Sequence, residues 1–156
     1  MSKIAPFPHR YTVTLAEGFL TAPPRAPIAA GSPPQFGGTD TRWSPEELLV
    51  AATLECLWTT FEAYARHDSL DVVGWSGTGT AVLEKGTPIP TFSGIVLRVE
   101  LRVAETDLER ARALLESAEK RCIITNALKV PVKLEAMVEA ARPVEPEGCC
   151  EQCTCS

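Results

Sequence analysis

No run of apolar residues in this sequence approaches the roughly 20 that a helix needs to cross a bilayer, so a soluble chain is expected. It has no basic stretch either, and its formal net charge is −5, so a phosphate backbone or an anionic membrane surface would not attract it. Nucleic acid and membrane are set aside as partners, which leaves small molecules and proteins. Histidine is scarce: His9 and His67 fall at a strand edge and a helix end, and neither stands in a ligand or triad pattern. Residues 1–10 hold Pro6 and Pro8 and no apolar stretch of signal-peptide length. The expectation is a cytoplasmic protein whose cysteines start reduced. The sequence also lacks internal repeats.

What is present suits one domain of ordinary size: 156 residues, 45% of them apolar, with acids and bases mixed throughout. Tyr11, Val13 and Leu15 alternate with Thr12 and Thr14, a half-buried strand over 10–16 that Glu17-Gly18 can turn toward a short partner at 19–22. Residues 23–43 carry five prolines and three glycines, which predicts a long loop. Ser44-Pro45-Glu46-Glu47 reads as a helix start, with a Ser N-cap, Pro at the first helical position and Glu completing a capping box. That helix should run to about His67. Its apolar residues, Leu48 to Ala52 with Leu54, Cys56, Leu57, Trp58 and Phe61, point in almost every direction, which predicts a buried central helix.

Two long strands follow, over 70–83 and 92–103, rich in β-branched residues and joined by the loop at Lys85 to Pro90. Thr106-Asp107-Leu108-Glu109 reads as a second capping box, with Leu108, Ala111, Leu115, Ala118 and Cys122 at helical spacing behind it. Val130, Val132, Leu134, Ala136 and Val138 make a closing strand. This order gives an α+β fold with mostly antiparallel sheets. Covering one helix on all sides in so small a chain calls for a second subunit, so a homodimer is expected.

Cys56 lies mid-way along the first helix and Cys122 at the end of the second, 66 positions later. A free cysteine is often only a small apolar side chain. The alternative is a redox pair, in which one thiolate attacks an oxygen and the other resolves the sulfenic acid as a disulfide. Spacing alone does not show that the two sulfurs meet.

The segment Ser44-Pro45-Glu46-Glu47-Leu48-Leu49-Val50-Ala51-Ala52, followed by Cys56, resembles the helix of the OsmC and organic hydroperoxide resistance (Ohr) family. Cys122-Ile123-Ile124-Thr125-Asn126-Ala127-Leu128-Lys129-Val130-Pro131-Val132 resembles the segment with that family's second cysteine, and Phe36-Gly37-Gly38 also matches. The resemblance runs from about 36 to 138. It implies the OsmC-like fold as an intertwined homodimer with active sites at the subunit interface. It further implies a thiol peroxidase in oxidative stress defence: Cys56 as attacking thiol, Cys122 as resolving thiol, an organic hydroperoxide as substrate, a dithiol as reductant and no cofactor required. Glu46 matches the family's catalytic glutamate, ten residues before Cys56. Ten helical residues advance about 15 Å, so any contact between the two must come from the other subunit. The bland reading of Glu46 is a dipole-compensating residue of the first turn. No arginine falls on the family's position; Arg42 is favoured over Arg25 as the thiolate's cation. Ile123 follows Cys122 where close relatives commonly carry proline, which points to a less characterised branch. Glu55, about 100° around the helix from Cys56, receives no catalytic role.

After Val138 the composition shifts, so the expected division is a domain over 1–141 and a flexible tail over 142–156. The tail ends in Cys149, Cys150, Cys153 and Cys155, four cysteines in seven positions that no packed element explains. Such dense thiolates suit a soft metal, Zn(II) or Cu(I), held exposed and exchangeable. Cys150 and Cys153, a C-x-x-C pair, can instead serve as a dithiol that reduces a Cys56–Cys122 disulfide, or the tail can be dispensable. A non-catalytic binding or metal-handling protein that uses this cluster is the rival to the peroxidase.

Overall fold

The computed structural model describes residues 6–141, so the tail cysteines Cys149, Cys150, Cys153 and Cys155 lie outside the described residues. The chain divides into two compact units, Met1–Ala51 and Ala52–Ser156.

The first unit is built on a small antiparallel sheet of β1 (Thr14–Ala16), β2 (Phe19–Thr21) and β3 (Ile28–Ala29), in that order. Ala16 pairs with Phe19 across Glu17 and Gly18, whose φ angles of 51° and 77° make the tight left-handed turn that a two-residue hairpin loop needs. The turn is the expected one, but β1 is shorter than 10–16, and Tyr11, Val13 and Leu15 are exposed at 89%, 62% and 65%. None of the described residues of this unit covers their alternating apolar face. The Pro/Gly-rich segment contains more structure than a loop: β3 forms within it, and Pro34–Phe36 makes a single 3-10 turn.

The helix α1 (Pro45–His67) starts in the first unit and continues into the second. Its capping box is formed as read. The Ser44 N–H donates to Glu47 Oε2 at 2.8 Å, and the Glu47 N–H donates to Ser44 Oγ at 3.1 Å. All-round burial is not seen within the chain: the fully buried positions are Thr53, Leu57, Phe61 and Ala65, one stripe at four-residue spacing. Leu54, Cys56 and Trp58 are half-buried.

The second unit holds a three-stranded sheet in the order β4 (Val72–Glu84), β5 (Thr91–Val103), β6 (Val132–Ala140). β5 is central, and its Ile95, Leu97, Val99, Leu101 and Val103 are buried while Arg98, Glu100 and Arg102 face solvent. The β4–β5 hairpin is antiparallel as expected. β6 runs parallel to β5, with Ile95 opposite Val132 and Val103 opposite Ala140. A parallel neighbour needs a crossover, and α2 (Leu108–Arg121) supplies it. This helix buries Ala111, Leu115 and Ala118, packs on β6, and donates from Arg112 Nη2 to the Val138 carbonyl at 3.2 Å. Its expected capping box is not formed. A 3-10 turn, Glu105–Asp107, leads directly into the helix, no side chain caps it, and Asp107 and Glu109 instead pair with Arg110 and Arg112. A third helix, α3 (Ile123–Ala127), follows one residue after α2 and was not anticipated. Aromatic rings join α1 to β4: Trp75 lies 5.3 Å from Phe61 and 4.8 Å from Trp58, centroid to centroid.

Candidate functional site

Cys122 sits in the break between two helices. Its φ of −61° and ψ of 116° end α2 and begin α3, so the chain turns sharply at the cysteine. The turn is held by Asn126, whose backbone N–H and Nδ2 donate to the Cys122 carbonyl at 3.0 and 2.8 Å. Asn126 Nδ2 also donates to the Lys120 carbonyl at 3.1 Å, spanning the break from both sides. At the end of α2, Arg121 reaches across to α1, donating to Tyr64 Oη at 3.4 Å with its guanidinium 5.9 Å above the ring. These contacts bring the hinge against α1 beside Cys56.

Cys56 projects from α1 half-buried, and its carbonyl accepts from Thr60 Oγ1 at 2.7 Å and Thr59 Oγ1 at 3.3 Å. Its Sγ accepts from the Ile124 N–H at 3.5 Å, the first contact across to the hinge. The Cys122 thiol, fully buried, lies within hydrogen-bonding reach of Cys56, and both cysteines are free. On the other side of Cys122, Thr125 Oγ1 donates to its Sγ at 3.2 Å. The fold therefore brings together the two thiols that sequence spacing left unconnected.

Burial pushes the Cys56 thiol above its ordinary value, and the neighbouring Cys122 sulfur pushes it further; the N–H groups of Ile124 and Ile123 pull the other way without reversing the shift. Within one chain the two thiols are neighbours, and the outer one is held largely protonated at neutral pH. A cation brought to this sulfur would correct that.

The other expected site residues are placed as follows. Glu46 is in the first turn of α1, and its Oε2 is sealed from solvent with no hydrogen-bond partner among the described residues. A carboxylate oxygen so placed lacks the donor it needs. Arg42, the favoured cation, is already engaged: Nη1 donates to the Gly18 carbonyl at 3.0 Å and more loosely to that of Ala30 at 3.5 Å, and the guanidinium lies 5.6 Å over the Phe19 ring. It clamps the β1–β2 turn to the end of β3. Among the described residues Arg25 makes only a local bond to the Ala22 carbonyl, at 3.4 Å, and is exposed. His67 pairs with the adjacent Asp68 at 2.7 Å, and His9 packs edge-on against Phe7. Among the described residues no group of three or more His, Cys, Asp or Glu side chains is arranged to hold a metal ion, and no helix is long and apolar enough to cross a membrane. Thr125 and Asn126 had no role assigned from the sequence. The available signal was their spacing, three and four residues after Cys122, which is one helical turn.

Comparison with known proteins agrees with this arrangement. The family model described as OsmC-like protein matches residues 38–136, which include α1, both cysteines and most of β6. The chain belongs to the OsmC-like family. Solved structures share the fold. An OsmC-like protein of unknown function from Vibrio cholerae is 20% identical, with a TM-score of 0.68 over 76% of this chain and 82% of that one. An OsmC-like protein from Mycoplasma pneumoniae is 15% identical, also at 0.68, over 85% and 99%. An organic hydroperoxide resistance protein from Legionella pneumophila is 17% identical, at 0.61, over 86% and 98%. No curated protein matches the sequence. Family model and shared fold agree on an OsmC-like chain.

Proposed function

We propose that this OsmC-like protein is a thiol peroxidase that reduces organic hydroperoxides through Cys56 and Cys122. The observation that carries the reading is the meeting of the two thiols, one on α1 and one at the α2–α3 hinge. The Cys56 thiolate attacks the terminal peroxide oxygen; the S–O bond forms, the O–O bond breaks, and the alcohol leaves after taking a proton. The sulfenic acid on Cys56 is then resolved by Cys122 with loss of water, and an external dithiol reopens the disulfide. Apolar surroundings favour an alkyl hydroperoxide over hydrogen peroxide. Ile123, 78% exposed beside the site, offers surface for the alkyl group.

A homodimer completes the site in this reading. The protonated state of Cys56 in one chain calls for a cation from outside, and the unpartnered Glu46 oxygen calls for a donor. An arginine and Glu46 from the second subunit, paired with each other, would answer both needs. Arg25 suits the task better than Arg42, whose guanidinium is committed to Gly18, Ala30 and Phe19. The exposed alternation of Tyr11, Val13 and Leu15 gives a second copy an apolar face to cover.

Purified full-length protein with dithiothreitol and tert-butyl hydroperoxide tests the reading. Turnover is expected, lost in Cys56→Ser and retained when 142–156 are deleted. No turnover with any dithiol, together with stoichiometric metal lost on that deletion, would favour the metal-handling alternative built on Cys149, Cys150, Cys153 and Cys155.

A further inference from the structure

The resolving half of that chemistry falls to Cys122, and Cys122 is completely closed from solvent. A thiol without water around it is a poor nucleophile unless some group stabilises charge as it develops on sulfur. The hinge supplies one candidate. Thr125 Oγ1 lies 3.2 Å from Cys122 Sγ, a hydroxyl donor aimed at the sulfur from the side chain one turn along. Its placement is not casual. The Thr125 carbonyl closes α3 by accepting the Leu128 N–H at 3.2 Å, and Asn126 fixes the preceding turn through both its N–H and Nδ2. The threonine is half-buried, so little water competes for its hydroxyl.

We propose that Thr125 is a positioning residue for disulfide closure, its hydroxyl holding the Cys122 sulfur as an acceptor directed at Cys56. The proposal rests on the peroxidase reading above. In the step it serves, the Cys122 thiolate attacks the sulfur of the Cys56 sulfenic acid. The S–S bond forms, the S–O bond breaks, and the departing hydroxide leaves as water with the proton that Cys122 gave up. Both electrons for the peroxide come from the two thiols, so the hydroperoxide already consumed is the only oxidant. Because a hydroxyl both donates and accepts, Thr125 can take the thiol proton's hydrogen bond before ionisation and donate to the sulfur afterwards.

Thr125→Val keeps the shape and removes the hydroxyl; Thr125→Ser keeps the hydroxyl. The first measurement needs no peroxide. In a Cys56→Ala background, thiolate absorbance is titrated against pH, and the spectrum of the same protein also carrying Cys122→Ala is subtracted to isolate Cys122. Thr125→Val is expected to move the Cys122 midpoint to higher pH, and Thr125→Ser to restore it. The second measurement mixes the otherwise unsubstituted protein with one equivalent of tert-butyl hydroperoxide in stopped flow. The ratio of disulfide closure to sulfenic acid formation should fall about tenfold in Thr125→Val, the loss expected for one hydrogen bond to a charged atom, with over-oxidised Cys56 accumulating and Ser again restoring the ratio. A Cys122 titration and a closure ratio unchanged in Thr125→Val overturn the proposal, as does a Ser variant that behaves like Val. If unsubstituted protein forms no sulfenic acid while the Val shift persists, the peroxidase reading fails and Thr125 remains the group that holds the Cys122 thiolate.

Discussion

Replacing Ser44 by alanine tests how the start of α1 is built and what depends on it. Ser44 is 2% exposed, and its backbone and side chain share two reciprocal hydrogen bonds with Glu47, at 2.8 and 3.1 Å. Alanine removes the bond from the Glu47 N–H to Oγ and leaves that donor unpaired at a part-buried helix end. A lost cap costs about 1–2 kcal/mol. For a chain of this length 1 kcal/mol lowers Tm by roughly 2–4 °C, so a fall of about 2–8 °C is expected. Circular dichroism melts of Ser44→Ala and Ser44→Asp read it, with aspartate, which can accept the same bond, recovering most of the loss. The first turn also carries Glu46, so peroxidase turnover should drop in Ser44→Ala more than the alkylation rate of Cys56, which lies ten residues on. A melt within about 0.5 °C of the parent would refute the argument, because it would mean that the reciprocal pair contributes nothing to holding this turn.

Removing the Cys122 sulfur takes away two of the influences that keep Cys56 protonated, so Cys122→Ala should speed iodoacetamide alkylation of Cys56 near neutral pH; no change would show that burial alone sets the thiol. In the parent, alkylation of Cys56 should climb about tenfold per pH unit through the neutral range, as for any thiol below its pKa. Because the folded thiol is harder to ionise than the unfolded one, its contribution to stability is complete below about pH 8.5 and is lost as pH rises through the folded value, so melts should weaken on the alkaline side. Gly18→Ala puts a Cβ onto Arg42 Nη1 at a backbone φ of 77°, and should destabilise by more than about 1 kcal/mol in a chemical melt. Inactive Cys56→Ser mixed with inactive Glu46→Ala should regain activity if subunits exchange and share the site; exchange without recovery would return Glu46 to its own helix.

The parts of this fold that were legible in the sequence are those encoded locally. Ser44 and Glu47 form their capping box because the partners are three residues apart and the geometry of a helix start does the rest. The same signature at Thr106 to Glu109 failed, since a 3-10 turn feeds α2 directly and the acids found arginines one turn ahead. β-branched richness placed β5 and alternation placed β6, but neither carries a strand direction, so their parallel pairing is not visible in the sequence. α3 is five residues long, too short for a period to show. At the site, resemblance singled out Cys56 and Cys122, yet their meeting depends on the backbone break at Cys122, which is conformational, and on Arg121 reaching Tyr64, 57 residues away. Arg42 looked free for catalysis because its partners, Gly18 and Ala30, are 24 and 12 residues away and are backbone carbonyls that a sequence does not advertise.

The central claim is that Cys56 and Cys122 act as one redox pair. Reduced full-length protein is treated with one equivalent of tert-butyl hydroperoxide, quenched with an alkylating agent, digested and mapped by mass spectrometry. A single new crosslink between the Cys56 and Cys122 peptides, absent in Cys56→Ser and formed equally after deletion of 142–156, is the predicted result. Oxidation that leaves both thiols alkylated, or that links the cysteines of the tail instead, would contradict it.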